Sequence, residues 1–284
     1  MNCRLIPCVA LLLVLRLMTL AWQASPACAA TADQESIADQ ESVTDLCSVI
    51  HPSDTRIAWR CVTIKPGQTL ESLFGRRWVD VARFNRVDRR HIYPGVRIKV
   101  PVNLDEIRDF SPMPKTCTPA QKYPKFILID LPEQFLGAYE FGALAFSAPV
   151  STGEPTDQTP NGRFRITAYS KRHFSSIYNI EGTDIPYPMQ YALRFFISRQ
   201  GVSYWIHGRD VPGYPLSHGC VGLYDEEMQK KYYGYPPVPV LEDTKALFDW
   251  VVPRAKGGSG VHAITGGPPV LIVGKAPVPQ PPKK

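Results

Sequence analysis

Short apolar runs separated by turn residues dominate the second half of the chain. Seven such runs, rich in β-branched and aromatic residues, lie between residues 123 and 274. They are Phe126–Asp130, Phe135–Tyr139, Ala143–Val150, Phe164–Ala168, Leu193–Ile197, Ser203–Ile206 and Val270–Val273. Runs of this length and spacing predict strands, whereas helical patterns occur only at 225–233 and 242–251. The sequence therefore predicts a mainly β domain over residues 123–274, with two helices packed outside its sheets.

The first 29 residues have the pattern of a secretory signal peptide. Arg4 precedes an apolar run from Cys8 to Leu20, and the small-residue sequence Ala27-Cys28-Ala29 follows. The run is shorter than the roughly 20 residues that span a bilayer, and no later stretch approaches that length. We expect export to the periplasm or cell envelope, with no transmembrane segment after cleavage. The alternative is a lipoprotein whose acylated residue is Cys28.

Four cysteines remain after residue 29, at positions 47, 61, 117 and 220. An even number in an exported protein is typical of two disulfides, and Cys220 paired with Cys117 is one alternative. However, Cys47, Cys61 and Cys117 lie in or beside the N-terminal half, while Cys220 stands next to two histidines. We predict one disulfide among the first three cysteines and a free Cys220.

The rest of the chain divides into four segments of different composition. Residues 30–60 contain the tandem ADQES and few large apolar residues, which predicts a flexible acidic tether. Residues 61–101 begin and end in alternating patterns around two helix-like pieces, which predicts strand, helix, helix, strand. Residues 102–122 hold several prolines without periodicity and are interpreted as a linker. Residues 275–284 form a proline-rich tail.

Residues 61–101 resemble a LysM module through Pro66–Leu70, Asn85 and Ile92–Gly95. The resemblance implies a small α+β (βααβ) domain that binds glycans containing N-acetylglucosamine. This stretch has nine Lys and Arg against three acids, a charge that suits an anionic polymer. Export makes nucleic acid an improbable partner. A structural spacer with a solvated basic face is the alternative.

Residues 203–223 contain the candidate catalytic residues. They hold His207-Gly208 after the strand-like Tyr204–Ile206, and then Ser217-His218-Gly219-Cys220. Gly219 lacks a Cβ, so backbone next to Cys220 can approach a ligand closely. A thiol with a pKa of about 8.5 is mostly protonated near neutrality, so we expect a neighbouring imidazole to draw off its proton. The pattern predicts a cysteine nucleophile with a histidine base.

The His-Gly followed by Ser-His-Gly-Cys resembles the signature of L,D-transpeptidases of the YkuD type. Similarity to that family extends over residues 125–273, including Val150–Gly153 and Thr159–Phe164. The implied fold is β-sandwich-like. The resemblance implies that Cys220 is the nucleophile, that His207 is the general base and that the Gly208 carbonyl orients the His207 ring. It implies that His218 supports the site and that the N–H groups of Gly219 and Cys220 donate to the oxyanion. The implied substrate-binding residues are Ser217, Tyr191 and Arg194.

By this resemblance, the thiolate attacks a peptidoglycan stem tetrapeptide, expels its terminal D-alanine and leaves a thioester that an amine resolves. No cofactor or metal is implied. The expected partners are stem peptides, glycan strands and an envelope protein as another acyl acceptor. Three alternatives stay open: a hydrolase on the same fold, a noncatalytic wall-binding protein, and a zinc site of His207, His218 and Cys220.

Two features depart from the family pattern. The spacer between His207 and Ser217 is nine residues, which is short, and Gly222 stands where family members usually place Arg or Asn. A missing side chain at position 222 leaves recognition of the acceptor or of a substrate carboxylate open.

Overall fold

Two five-stranded sheets form the body of the computed structural model, which describes residues 44–255, 258 and 260–278. The predicted signal peptide, the alternative lipidation at Cys28, residues 30–43 of the predicted tether and the end of the predicted tail lie outside these residues. The described residues fall in one compact unit.

The strands are β1 (Trp59–Thr63), β2 (Arg97–Pro101), β3 (Phe126–Asp130), β4 (Phe135–Glu140), β5 (Ala143–Pro149), β6 (Gly162–Arg165), β7 (Ala168–Asn179), β8 (Pro186–Ile197), β9 (Ser203–Gly208), β10 (Val221–Leu223), β11 (His262–Ala263) and β12 (Pro269–Val273). One sheet has the order β5-β4-β3-β12-β6 and the other β10-β9-β8-β7-β11. Pairing is antiparallel except between β3 and β12 and between β9 and β10. The prediction of a mainly β domain is confirmed.

The N-terminal elements follow the order strand, helix, helix, strand. Helices α1 (Leu70–Phe74) and α2 (Trp78–Asn85) lie between β1 and β2, which pair antiparallel. α1 begins at a reciprocal cap, because the Ser72 N–H donates to Thr69 Oγ1 at 3.1 Å and the Thr69 N–H donates to Ser72 Oγ at 2.9 Å. The likeness of this segment to LysM modules stays a prediction.

Helices α3 (Glu226–Tyr233) and α4 (Asp243–Val251) match the two helices predicted in the second half. α3 begins where the Asp225 carboxylate accepts the Met228 N–H at 2.9 Å. Within the described part of the chain, no helix combines the length and the apolar character needed to cross a membrane.

The main core is built from both sheets and from α4. Ile129 of β3, Leu193 of β8 and Ile206 of β9 belong to it, together with Phe248 of α4. All four are almost completely inaccessible to solvent. Burial of each such side chain contributes about 1.5–3 kcal/mol, so this core holds the two sheets together.

Residues 44–60 differ from the predicted flexible tether. They form two 3-10 turns, Leu46–Ser48 and Pro52–Arg56, and Cys47 forms a disulfide with Cys61. Leu46 and Asp54 are each 1% exposed. The segment is ordered because the disulfide and these buried side chains fix it, which its acidic composition does not reveal. The prediction of one disulfide among the first three cysteines is confirmed, and Cys117 and Cys220 are free.

Residues 102–122 also differ from the predicted linker, because they pack into a second core. The ring of Phe110 meets Phe84 of α2 at a centroid distance of 5.2 Å and Phe135 of β4 at 5.8 Å. Ile107 is fully buried in the same cluster. These contacts join the N-terminal elements directly to the sheet that contains β4.

Most of the basic side chains of residues 61–101 lie in ion pairs. Seven of the nine are paired, and six of these meet acids outside the segment. The six pairings are Arg83–Asp243, Arg86 with Asp54 and Glu133, Arg89–Glu226, Arg90–Asp210, Arg97–Asp45 and Lys99–Asp54. The charge that suggested an anionic polymer is therefore largely neutralised within the protein.

Arg86 is the most deeply buried of these cations. Its Nη1 lies 2.9 Å from Asp54 Oδ1, and its Nη2 lies 3.1 Å from Glu133 Oε2 and 2.8 Å from Ser53 Oγ. Its side chain is fully buried, and the guanidinium carbon lies 5.3 Å from the Phe110 ring centroid. One guanidinium thus connects the segment before β1, the end of α2 and the turn before β4.

Arg86→Met tests this connection. We expect it to lower the free energy of unfolding by about 3–5 kcal/mol, because Asp54 and Glu133 would lose their shared cation in a buried site. The measurement is denaturant unfolding of the full chain with the disulfide intact. Arg108→Met is the matched control, because its pair with Asp105 is exposed and screened by solvent, so its loss should change stability little. Equal losses for the two variants would contradict the assigned role of Arg86.

Candidate active site

The parallel pairing of β9 with β10 brings the predicted nucleophile and base to one sheet face. Gly222 is in register with His207, and Val221 with Ile206. Cys220 precedes β10 by one residue, so the same register places it opposite Trp205. Because alternate residues of a strand share a face, Cys220 lies on the face of Trp205 and His207. Cys220 also packs against the cluster that contains Trp205.

The His207 ring has a defined tautomer. Its Nδ1 lies 2.8 Å from the Gly208 carbonyl oxygen, and a carbonyl can only accept, so Nδ1 carries the proton and Nε2 the lone pair. Burial lowers the pKa of His207 to about 3, and the charge of Arg209 acts in the same direction. The ring is therefore neutral at physiological pH with Nε2 as its basic atom. This geometry agrees with the orienting role expected of the Gly208 carbonyl.

The Cys220 thiol is protonated at rest. Burial raises its pKa, and a backbone hydrogen bond at Trp205 and the charge of Arg209 oppose that rise only in part. The hydrogen bonds found among the described residues do not include one between Cys220 and the His207 ring. The expectation that the imidazole has already drawn off the proton therefore differs from this resting state, which is a neutral thiol near a neutral imidazole.

Ser217 holds the turn before the nucleophile. Its hydroxyl donates to the Cys220 carbonyl at 2.5 Å and accepts the Gly219 N–H at 3.1 Å, and its own N–H donates to the Thr152 carbonyl at 3.0 Å. Ser217 is fully buried, so it shapes the turn and is not open to substrate, as a substrate-binding role would require. The Gly219 N–H, predicted as an oxyanion donor, is already engaged in this turn.

Gly219 has a conformation and a contact that require glycine. Its φ is +101°, and a Cβ there would lie 2.5 Å from Cε1 of Tyr204. Its carbonyl accepts the hydroxyl of Thr159 at 3.0 Å. Thr159 and Thr152 thus support the turn from the two motifs noted upstream, although the sequence did not identify them as site residues.

His218 lies at the surface of the site. Its ring is exposed and stacks on Tyr178 at a centroid distance of 4.1 Å and an interplanar angle of 9°. Burial raises the pKa of Tyr178, and negative charge at Asp157 and Cys220 adds to the rise, which places Tyr178 near the nucleophile. Tyr178 comes from the long β7–β8 hairpin, and sequence reasoning missed it because that hairpin was not predicted.

The two residues of β8 that were predicted to bind substrate, Tyr191 and Arg194, lie on opposite faces of the sheet. Arg194 pairs with Trp205 in the ladder and holds its guanidinium 5.6 Å from the indole centroid, on the nucleophile's face. Tyr191 has a φ of +53° and packs its ring against Phe248 of α4 at 5.5 Å. Tyr191 alternates with Leu193 and Phe195, which both belong to the main core, so its ring lies on that face of β8. Its substrate-binding role stays a prediction.

A cavity of about 480 Å³ lies beside Tyr191 and is lined also by Asp225 and Met228. Burial raises the pKa of Asp225 to about 6. The lining includes none of the residues predicted to act in catalysis, so this cavity is separate from the thiol and imidazole.

The structure bears on two alternatives for Cys220. It is free, as is Cys117, so the alternative disulfide between them is wrong. Among the described residues, the side-chain groups that converge closely enough to share a metal ion do not combine His207, His218 and Cys220. The alternative zinc site at these three residues is therefore unsupported.

Comparison with known proteins places this site in a family. The family model of YkuD, described as the L,D-transpeptidase catalytic domain, matches residues 124–272. No curated protein matches the chain. Among solved structures, an L,D-transpeptidase from Stackebrandtia nassauensis is 18% identical, with 72% of this chain and 69% of that chain covered and a TM-score of 0.39.

Two further solved structures are similar at the same level. An L,D-transpeptidase from Xylanimonas cellulosilytica is 22% identical, with 68% of this chain and 79% of that chain covered and a TM-score of 0.37. L,D-transpeptidase 1 of Mycobacterium tuberculosis is 18% identical with a TM-score of 0.34, and the match covers 53% of this chain and 62% of that chain, less than two thirds of its length. Because the family model matches more than half of its residues, the chain belongs to the YkuD family of L,D-transpeptidase catalytic domains.

Proposed function

We propose that this protein is a cell-wall L,D-transpeptidase that acts on peptidoglycan stem peptides through a thioester on Cys220. The observation that carries the proposal is the oriented His207 ring, whose unprotonated Nε2 carries the lone pair on the face of the sheet that holds the thiol. A neutral thiol and a neutral base are the reactants of general-base catalysis.

The proposed acylation begins when Nε2 of His207 takes the proton of the Cys220 thiol. Sγ bonds to the carbonyl carbon of the third stem residue, and the bond from that carbon to the nitrogen of the terminal D-alanine breaks. The imidazolium returns its proton to the departing amine. The nitrogen of an amine of a second stem then bonds to the thioester carbonyl carbon, and the bond from that carbon to Sγ breaks. His207 takes a proton from the attacking amine and gives it to Sγ, which restores the Cys220 thiol.

Oxyanion stabilisation in this scheme differs from the expectation at Gly219. The Gly219 N–H donates to Ser217 Oγ at rest, so it has to exchange that partner for the substrate oxygen. The Cys220 N–H has no such partner within the described part of the chain. We therefore assign the oxyanion first to the Cys220 N–H, where one aimed donor lowers the barrier by about 3 kcal/mol.

We also propose export to the periplasm or cell envelope. The Cys47–Cys61 disulfide supports this placement, because disulfides persist in oxidising compartments. Retention on glycan strands through residues 61–101 stays a prediction, since most of the basic charge behind it is neutralised by ion pairs within the protein.

Turnover of a disaccharide tetrapeptide tests the reaction class. We expect a crosslinked dimer with loss of D-alanine, measured by liquid chromatography and mass spectrometry. Cys220→Ala should abolish turnover, and His207→Ala should lower kcat/KM by about 10²- to 10⁴-fold through loss of the base. Tripeptide as the sole product would instead assign a hydrolase. Turnover by Cys220→Ala would end the covalent mechanism.

The pH dependence of thiol alkylation tests the resting protonation state. Because burial raises the pKa of Cys220, the thiolate fraction is small at pH 7, and the rate of reaction with iodoacetamide should rise about tenfold per pH unit up to pH 9. Mass spectrometry assigns the adduct, and Cys220→Ser is the control that leaves Cys117, which is buried, as the free thiol of the described residues. A rate already constant below pH 7 would reveal a resting thiolate and contradict the neutral pair.

A further inference from the structure

Gly222 leaves a space on the nucleophile's face that the side chain of Arg209 fills. A Cβ at position 222 would lie 2.6 Å from Cδ, 2.7 Å from Cβ and 2.9 Å from Cγ of Arg209. Gly222 is in register with His207, and Arg209 follows β9 directly, so both point to the side of the sheet that carries the thiol. Any side chain at position 222 would have to displace the stem of Arg209.

The guanidinium of Arg209 is held in place but not neutralised. Its Nη2 donates to the Leu216 carbonyl at 2.9 Å, and its carbon lies 5.7 Å from the ring centroid of Tyr187. No carboxylate lies within ion-pair distance of it among the described residues. Its Nε is buried without a partner, and its Nη1 makes no hydrogen bond within the described part of the chain. Arg209 therefore keeps an unpaired positive charge, unlike most arginines of residues 61–101.

This charge lies close to the reacting groups. The Arg209 cation lowers the pKa of His207 and also lowers that of Cys220, which requires proximity to both side chains. A guanidinium presents donors in a fork that matches the two oxygens of a carboxylate. The arrangement is that of a carboxylate-binding group beside a thiol nucleophile.

We infer that Arg209 binds the terminal carboxylate of the stem peptide and takes the place of the side chain absent at Gly222. The inference rests on the proposed function. In that reaction the D-alanine that leaves carries a free carboxylate, separated from the scissile amide nitrogen by one carbon. Binding this group positions the scissile carbonyl against Sγ of Cys220. Because the carboxylate departs with the D-alanine, Arg209 acts on formation of the thioester and not on its resolution.

The test compares two substrates on the full chain. One is the disaccharide tetrapeptide with its free terminal carboxylate, and the other is the same compound as its terminal amide. We expect the wild-type kcat/KM for acylation to favour the acid by about 10- to 100-fold, the range of a hydrogen-bonded charge pair. Arg209→Gln should bring kcat/KM for the acid to within about twofold of that for the amide, so that the preference for the acid is lost.

Two further variants separate recognition from folding. Arg199→Gln is the matched control, because Arg199 is exposed between β8 and β9 and should keep the preference for the acid. The double variant Arg209→Gly with Gly222→Arg moves the guanidinium to the neighbouring strand and should recover at least part of that preference. Iodoacetamide labelling of Cys220 and thermal melting confirm that each variant is folded.

Three results would overturn the inference. They are a preference for the acid that survives Arg209→Gln, an equal loss on acid and amide, and a defect confined to resolution of the thioester by the amine. Each of them leaves wild-type turnover of the acid intact. Absence of turnover by folded wild-type protein on both substrates would instead remove the proposed function on which the inference rests.

Discussion

A single buried guanidinium, that of Arg86, makes the N-terminal segment and the two-sheet domain one body. It is paired with Asp54 and Glu133, which come from segments on either side of it in the chain. Lys99 shares Asp54 with Arg86, so the buried cluster holds four charges. Burying them is favourable only where geometry satisfies them together, so each segment depends on the others for its place. The contacts of the Phe110 ring with Phe84 and Phe135 add apolar packing at the same place. Residues 44–122 therefore act as structural support for the sheets.

That support reaches the site through the loop between His207 and Ser217. Asp88 accepts the Val211 N–H at 2.7 Å, and the Asp88 N–H donates to the Val211 carbonyl at 2.8 Å. The hydroxyl of Tyr224, next to β10, donates to the Val87 carbonyl at 3.0 Å. A loop of nine residues is short, and the N-terminal segment fixes its course from outside. Deleting residues 61–101 would remove these anchors, so the segment cannot be treated as a detachable binding module.

The sequence predicted those features of the fold and the site that depend on local patterns of residues. Runs of β-branched residues predicted most strands of the sheets, and the motif around Cys220 predicted which residues share the site. It did not predict β7 or the first half of β8, because Ala168–Asn179 alternates serines and basic residues with aromatics and has little apolar character. It placed Tyr191 in the site through the family resemblance, although Tyr191 alternates with the core residues Leu193 and Phe195. The sequence also does not reveal the ion pair between Arg83 and Asp243, because the two residues are 160 positions apart. This pair is one of those that neutralise the basic charge of residues 61–101.

The resting electrostatics of the site follow from burial. Desolvation lowers the pKa of His207 and raises that of Cys220, so neither group is charged before substrate arrives. A neutral thiol is a poor nucleophile and oxidises slowly, since both reactions need the thiolate. In an oxidising compartment such a thiol persists, while the neutral Nε2 is ready to accept its proton once a carbonyl lies in reach. Two cations without an ion pair among the described residues lie on the nucleophile's face, Arg194 over Trp205 and Arg209 beside Gly222. The charge of Arg209 favours thiolate over thiol and, by our inference, attracts a substrate that carries its own carboxylate. Burial therefore preserves the nucleophile, and we assign selection of the substrate to the guanidinium of Arg209.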